Sequence, residues 1–259
     1  SFMAEGVIIS NCTEVTSEDD SDKCNLGTIW MNRHDSLDEF SETCRLATAF
    51  LICGGIYSDL PTDKIREVGD KNNRIGVGLG GMHEWLMVKG YGYEVTREMH
   101  NWLECYANET DKYAKHYADK LGVARPKGVR AIAPTGTIGI IAETTTGIEP
   151  LFCKSYKRRY FVADGEGGST GKWNHQYVVD RVVDRILAKG GKLEDIQDTY
   201  DLGFEERVKF QADVQDYVDM SISSTCNMPA WGSEKNNSGL VQEHADILYK
   251  YAKRLRGFT

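Results

Sequence analysis

The chain has 259 residues, 41% of them apolar, and a formal net charge of −8. Such a length and apolar content suit one large α/β domain or two small ones with a real core. The acidic balance argues against a general nucleic-acid binder, whose affinity rests on lysine and arginine fields. No run of about 18 apolar residues and no basic-then-apolar leader is seen, so the expected location is the cytoplasm, with no membrane partner. Seven cysteines, at positions 12, 24, 44, 53, 105, 153 and 226, are an odd number in a chain too long to need staples, which fits reduced thiols. None of them forms a C-x-x-C, and no metal site is expected.

Residues 1 to 11 read as a tag scar with a start methionine at Met3, followed by a short strand of Val7, Ile8 and Ile9. Cys12-Thr-Glu14 follows, then an acidic turn from Ser17 to Asp22, then a second strand over Cys24 to Asn32. The two cysteines are thus expected to flank a hairpin. From Ser36, a good N-cap, Leu37, Phe40, Cys44, Ala47 and Leu51 recur at helical spacing, and Gly54-Gly55 is the expected stop. Arg74-Ile-Gly-Val-Gly-Leu-Gly-Gly81 contains a formal G-x-G-x-x-G. It follows no strand and has no acidic ribose partner, so its glycines are expected to permit a close helix contact.

A long helix over Glu94 to Leu121 carries Met99, Trp102, Leu103, Tyr106, Tyr113 and Tyr117 on one side, expected as core, and Gly122 stops it. Val129 to Ala133 reads as a buried strand. It runs into Pro134-Thr-Gly-Thr-Ile138 and a helix start, where unpaired backbone N–H groups at the positive end of the helix dipole can seat a phosphate. Thr135 and Thr137 add hydroxyl donors and Gly136 permits close approach; an ordinary capped helix is the plainer reading of this stretch alone. Beyond it come a glycine-rich loop at 163 to 172, helices over Trp173 to Leu187, 193 to 199 and Phe204 to Val218, a strand at Ser221 that turns at Pro229, and a last helix from Ser238 to Lys253.

Three pieces together resemble the catalytic subunit of ribonucleotide reductase: Cys12-Thr-Glu14 with Cys24-Asn-Leu-Gly, Pro134-Thr-Gly-Thr-Ile138 with Gly147-Ile-Glu-Pro150, and Ser224-Thr-Cys-Asn-Met-Pro229. Arg74-Ile-Gly is a weaker fourth. The phosphate loop and the G-I-E-P look most like the adenosylcobalamin-dependent class. The resemblance implies an α/β fold, the C-terminal half of a ten-stranded α/β barrel whose finger loop carries a radical cysteine. Cys12 would then take the 3′ hydrogen of a ribonucleotide, Glu14 would be the base on the 3′ hydroxyl, and Cys24 would be half of the reducing dithiol. Pro134, Thr135, Gly136, Thr137 and Ile138 would hold the substrate phosphates. Adenosylcobalamin, an external thiol reductant and a thioredoxin-like partner are implied in the same way.

Two departures from the family stand out. Its N-x-C-x-E motif has an asparagine that holds the 2′ hydroxyl; here Ser10 occupies that position and Asn11 adjoins the cysteine, so either is the candidate contact. In the family, the first half of the barrel and the other redox cysteine precede this point, so the chain is expected to be the C-terminal half of a split enzyme that needs an N-terminal half as partner. A strand ending Ser-Asn before Cys also resembles the last block of an intein, which makes residues 1 to 11 a candidate split-intein remnant and 12 to 259 the barrel part. A boundary with a one-residue deletion is the competing explanation. Other readings left open are a metal-dependent reductase fragment, a non-catalytic partner that completes a barrel and holds phosphate, and an unrelated phosphate-binding α/β enzyme.

Overall fold

A computed structural model describes residues 2–4, 7–9, 14–163 and 171–258. Ser10, Asn11 and Cys12, and nearly all of the glycine-rich loop, lie outside the described residues. At the start, β1 (Phe2–Ala4) pairs antiparallel with β2 (Val7–Ile9). The hairpin expected between the two cysteines does not form: β3 (Asn25–Trp30) pairs instead with β4 (Ile75–Gly80), in parallel and in register from Asn25–Ile75 to Trp30–Gly80. The parallel pairing continues through bridges from Val77 to Arg130, Ile132 to Ile222 and Ser224 to Phe258. Five parallel lines therefore lie side by side in the order β3, β4, 129–132, 221–224 and 258. Among the described residues this sheet does not close into a barrel.

Parallel neighbours cannot be joined by tight turns, so each connection is long and carries helices. Between β3 and β4 run α1 (Leu37–Tyr57) and α2 (Asp63–Asn72); between β4 and 129–132 run α3 (Met82–Val88) and α4 (Arg97–Leu121). Ser36 caps α1 by accepting from the Glu39 N–H, Thr96 caps α4 by accepting from the Met99 N–H, and Gly122 ends α4 at φ +69°. Helix α1 does not stop at Gly54-Gly55. Gly55 leaves room for the side chain of Asn25, and Asn25 and Lys23 donate to the carbonyls of Leu51 and Gly55 at 3.3 and 2.8 Å.

The core fills the space between sheet and helices. Ile75, Val77 and Leu79 of β4 meet Phe40 and Ile52 of α1 and Met99, Leu103 and Tyr106 of α4, all fully buried. Each such side chain contributes roughly 1.5–3 kcal/mol. Met99, Trp102, Leu103 and Tyr106 of the α4 stripe are core as expected, Tyr117 is only half-buried against it and Tyr113 lies outside the cluster; the Tyr106 hydroxyl donates to the Val77 carbonyl at 2.5 Å. Arg130 is buried beside it, donating to Asp111 at 2.6 Å, while Asp219 accepts from the N–H groups of Val129 and Arg130.

The glycine run at 74–81 is the strand β4 itself, buried along its length, rather than a helix contact. Its glycines face a different neighbour from its apolar residues. A Cβ on Gly76 would fall 2.3 Å from Leu26 Cδ2 and 3.3 Å from Cys24 Sγ, one on Gly78 would fall 2.8 Å from the Ala131 carbonyl, and one on Gly80 would strike the Trp30 ring.

A second correction concerns Trp173 to Leu187. Residues Gly171–Val179 form β6, paired antiparallel over nine residues with β5 (Ser155–Ala163), and only Arg181–Ala188 is helical, as α6. The chain continues through a short 3-10 turn at Leu193–Asp195, α7 (Phe204–Gln215) and α8 (Val241–Tyr251).

Gly78→Ala is expected to lower unfolding stability by about 2 kcal/mol, because its methyl meets backbone that cannot yield. Gly54→Ala, in the interior of α1 with only Asn25 Nδ2 at 3.6 Å, should be neutral or stabilising. Urea titration of both variants checks the contrast.

Candidate functional site

Two of the sequence-predicted catalytic residues come together. Glu14 and Cys24 line one hollow of about 410 Å³, with Asp22 and Leu26 on its walls. Glu14 is 2% exposed, and its carbonyl accepts from the Ser221 N–H at 2.9 Å, which ties it to the 221–224 line. Burial raises its carboxyl above the ordinary range. Cys24 directly precedes β3, and burial pushes its thiol up to about 12, against a partial counter-effect from Arg74. It stays a thiol at neutral pH, a weak S–H donor rather than a thiolate.

The segment before Cys24 is pinned by a buried carboxylate that sequence reasoning did not single out. Asp22 accepts from Ser17 Oγ at 2.6 Å, Asn72 Nδ2 at 2.7 Å and Arg74 Nε at 2.8 Å. The only signal for it was the weak Arg74-Ile-Gly match, and the reason for that match is now plain: Arg74 anchors the residue two before the thiol.

The phosphate loop lies at the other end of the sheet. Cys24 sits where the parallel lines begin and Pro134 where the 129–132 line ends, an interval of about seven residues in the register, or roughly 23 Å. Thr135 is left-handed at φ +55°, an uncommon conformation for a β-branched residue, and its Oγ1 accepts from the Gly147 N–H at 3.0 Å. Helix α5 (Gly136–Ile141) follows, with Gly136, Thr137 and Ile138 exposed and nothing within 4 Å of where a Gly136 Cβ would be. Gly136 and Gly139 line a separate hollow of about 540 Å³ that runs under β5 and β6. Phe152, Tyr156, Arg158, Arg181 and Arg207 also line it.

The Pro134–Ile138, Gly147–Pro150 and Ser224–Pro229 motifs meet in space. Thr135 holds Gly147 of the G-I-E-P, and Glu149 of the same motif accepts from the Thr225 N–H of Ser224-Thr-Cys at 2.8 Å. Arg207 reaches the Thr225 carbonyl and Thr199 Oγ1 at 2.7 and 2.8 Å. Burial raises the Glu149 carboxyl and the Cys226 thiol. Near them His83 is fully buried. The Leu151 N–H donates to its Nδ1 at 2.9 Å, so its proton is on Nε2, and burial depresses its pKa to about 3. The described residues hold no cluster of His, Cys, Asp and Glu suited to a metal, and none of their helices is long and apolar enough to cross a membrane.

The described chain is thus an α/β sheet of parallel lines with Glu14 and Cys24 at one end and the Pro134–Ile138 loop at the other. The family model "Ribonucleotide reductase, barrel domain" matches residues 3–118 and 112–259, and the chain belongs to that family. It is 30% identical over 260 residues to a protein of Mycobacterium phage D29 provisionally named an adenosylcobalamin-dependent ribonucleoside-triphosphate reductase, covering 86% of this chain and 37% of that one. Vitamin B12-dependent ribonucleoside-diphosphate reductases of Mycobacterium tuberculosis (strain CDC 1551 / Oshkosh) and Thermoplasma acidophilum are 25% and 24% identical, covering 81% and 92% of this chain and 35% of each relative. The crystal structure of a B12-dependent (class II) ribonucleotide reductase superposes with a TM-score of 0.75 at 14% identity, over 95% of this chain and 37% of that one. The chain thus spans little more than a third of the length of these relatives.

Two pH effects follow. His83 is neutral in the fold and takes a proton when unfolded, so its contribution to stability is present above about pH 6.5 and is lost as pH falls towards about 3. His83→Gln, which can still accept from Leu151, should flatten the acid limb of a stability–pH curve. Cys24, protonated in the fold, should react with iodoacetamide at a rate that climbs without a plateau from about pH 8 to about pH 10; a plateau near pH 9 in peptide-mapped alkylation would contradict its burial.

Proposed function

We propose that this chain is the C-terminal part of a ribonucleotide reductase that makes deoxyribonucleotides by thiyl-radical chemistry, in the cytoplasm. The observation that carries the reading is the convergence of Glu14 and Cys24 on one hollow at the edge of a parallel sheet whose far end bears the Thr135–Ile138 loop. The substrate would lie along the inner face, phosphates on the N–H groups and hydroxyls of Pro134 to Ile138, sugar towards the thiol, with Ser10 or Asn11 at the 2′ hydroxyl. Residues 12 onward would supply the finger loop, and an N-terminal half would close the ten-stranded barrel.

In this reading Cys12, as a thiyl radical, takes the 3′ hydrogen atom, forming S–H and leaving the radical on the sugar. Glu14 takes the proton of the 3′ hydroxyl, a task suited to a carboxylate whose pKa burial has raised. Cys24, held as a thiol, donates a proton to the departing 2′ hydroxyl, which leaves as water. Cys24 and a second thiol from the N-terminal half become a disulfide as the 2′ carbon gains hydrogen; Glu14 then gives its proton back to the 3′ oxygen and the 3′ hydrogen atom returns from Cys12, restoring its thiyl radical. An external thiol reductant, of the thioredoxin kind, then restores the dithiol.

Ile140, Phe152 and Tyr156, exposed apolar groups on the rim of the 540 Å³ hollow, would hold the apolar part of adenosylcobalamin. When bound it supplies the initial radical. A metal-dependent radical source is the second reading, favoured only by the barrel being common to both classes.

In enzyme reconstituted with the N-terminal half, Cys12→Ser should abolish deoxynucleotide formation and Glu14→Gln should slow it about a hundredfold or more. Retained turnover in Cys12→Ser would leave this chain a scaffold that completes a barrel. We also propose that residues 1–11 are a split-intein remnant. Intact-mass analysis after mixing should then show loss of those residues with ligation at Cys12, and two unchanged chains would contradict it.

A further inference from the structure

We infer that Glu84 is a positioning residue for the phosphate loop, fixing the back of α5 through Arg185 and Thr144; this rests on the phosphate reading above. Glu84 opens α3, directly after β4, and is 3% exposed. Its carboxylate receives Arg185 through two bonds, Nε to Oε1 and Nη2 to Oε2, both 2.9 Å, and Thr144 Oγ1 donates to Oε2 at 2.6 Å. The Glu84 N–H donates to Thr145 Oγ1 at 3.2 Å, and the neighbouring Gly81 N–H to the Thr145 carbonyl at 2.9 Å. The whole turn after α5 is therefore fastened to the end of β4.

The second half of the clasp is cationic. Arg185 Nη2 also donates to the Glu143 carbonyl, and Arg33 Nη2 to the Ala142 carbonyl at 2.6 Å. These are the exposed carbonyls at the negative end of a six-residue helix. Two guanidinium groups there complement the dipole whose positive end would face a bound phosphate. A helix this short has little stiffness of its own, so the direction of its first N–H groups is set by what holds its last turn. Glu143 is itself left-handed at φ +53°, which shows how tightly that turn is drawn in. Without Glu84, Arg185 would be left to the Glu143 carboxylate at 3.9 Å, a partner on the loop itself, and the tie to β4 would be gone.

Thr144→Val removes only the hydroxyl that links the loop to the carboxylate and leaves the Glu84–Arg185 pair intact. Thr144→Ser restores it. Pyrophosphate binding to the whole chain by titration calorimetry should weaken roughly tenfold in Thr144→Val, the scale of one buried hydrogen bond, and stay within about twofold in Thr144→Ser. Should Thr144→Val fail to fold, Glu84→Gln, which keeps the shape and loses the charge, is expected to weaken binding by at least threefold. Thr137→Ala monitors the seat itself. If the unaltered chain binds no pyrophosphate, or Thr137→Ala binds it equally well, the phosphate reading fails and this inference with it. If Thr137→Ala weakens binding while Thr144→Val or Glu84→Gln leaves it unchanged, the clasp alone is overturned.

Discussion

One face of β4 carries only glycine, and the close approach of Leu26, Trp30 and the Ala131 backbone, on which the rest of the sheet depends, is possible for that reason. Side chains on β4 alternate, so Ile75, Val77 and Leu79 lie in the core against α1 and α4, while Gly76, Gly78 and Gly80 face Cys24, Leu26, Ala131 and Trp30. Glycine in a strand weakens it through chain entropy and lost packing. Here β4 is held from both sides, by six register pairs to β3 and by bonds from Ile75 and Val77 to Gly128 and Val129. The core thus bears the stability while the opposite face is left narrow enough for backbone contact and open enough for a thiol.

Around that face, polar side chains are spent on ties between distant loops. Asp22 joins the approach to Cys24 to α2 and Arg74; Thr135 joins the phosphate loop to Gly147; Glu149 joins the G-I-E-P to the 221–224 line. The Asp22 and Thr135 ties are half-buried, where a lost partner costs more than the bond itself contributes, while the Glu149–Thr225 bond is exposed. Motifs that lie far apart in the chain are therefore one physical object. Glu14 and Cys24 at one end and the Pro134–Ile138 loop at the other are set by the same few strands.

Much of this was legible in the residues. Ser36 and Gly122 announce the start of α1 and the end of α4 through capping rules that act locally. Val129 to Ala133 and the Pro-Thr-Gly-Thr turn were readable for the same reason. The misses are non-local. The glycine-rich run from Arg74 to Gly81 looks nothing like a strand until Leu26, Ala131 and Trp30 are set against it, and Gly54-Gly55 looks like a stop until Asn25 and Lys23 reach across. Trp173 to Val179 has helical spacing, yet nine pairs between β5 and β6 make it part of a strand, since strand formation answers to the partner more than to the residue. In the site, Glu14 and Cys24 could be named from their motif, whereas Asp22, Glu84 and Arg185 matter only through geometry that the chain order hides.

In the function proposed, Cys24 is one of the two thiols consumed in each reduction. The direct measurement is peptide mapping under non-reducing conditions after a single turnover of the reconstituted enzyme, with external thiol withheld and one deoxynucleotide formed per active site. A disulfide joining Cys24 to a cysteine of the N-terminal half is the predicted result. Deoxynucleotide formed with Cys24 still a free thiol would contradict the account.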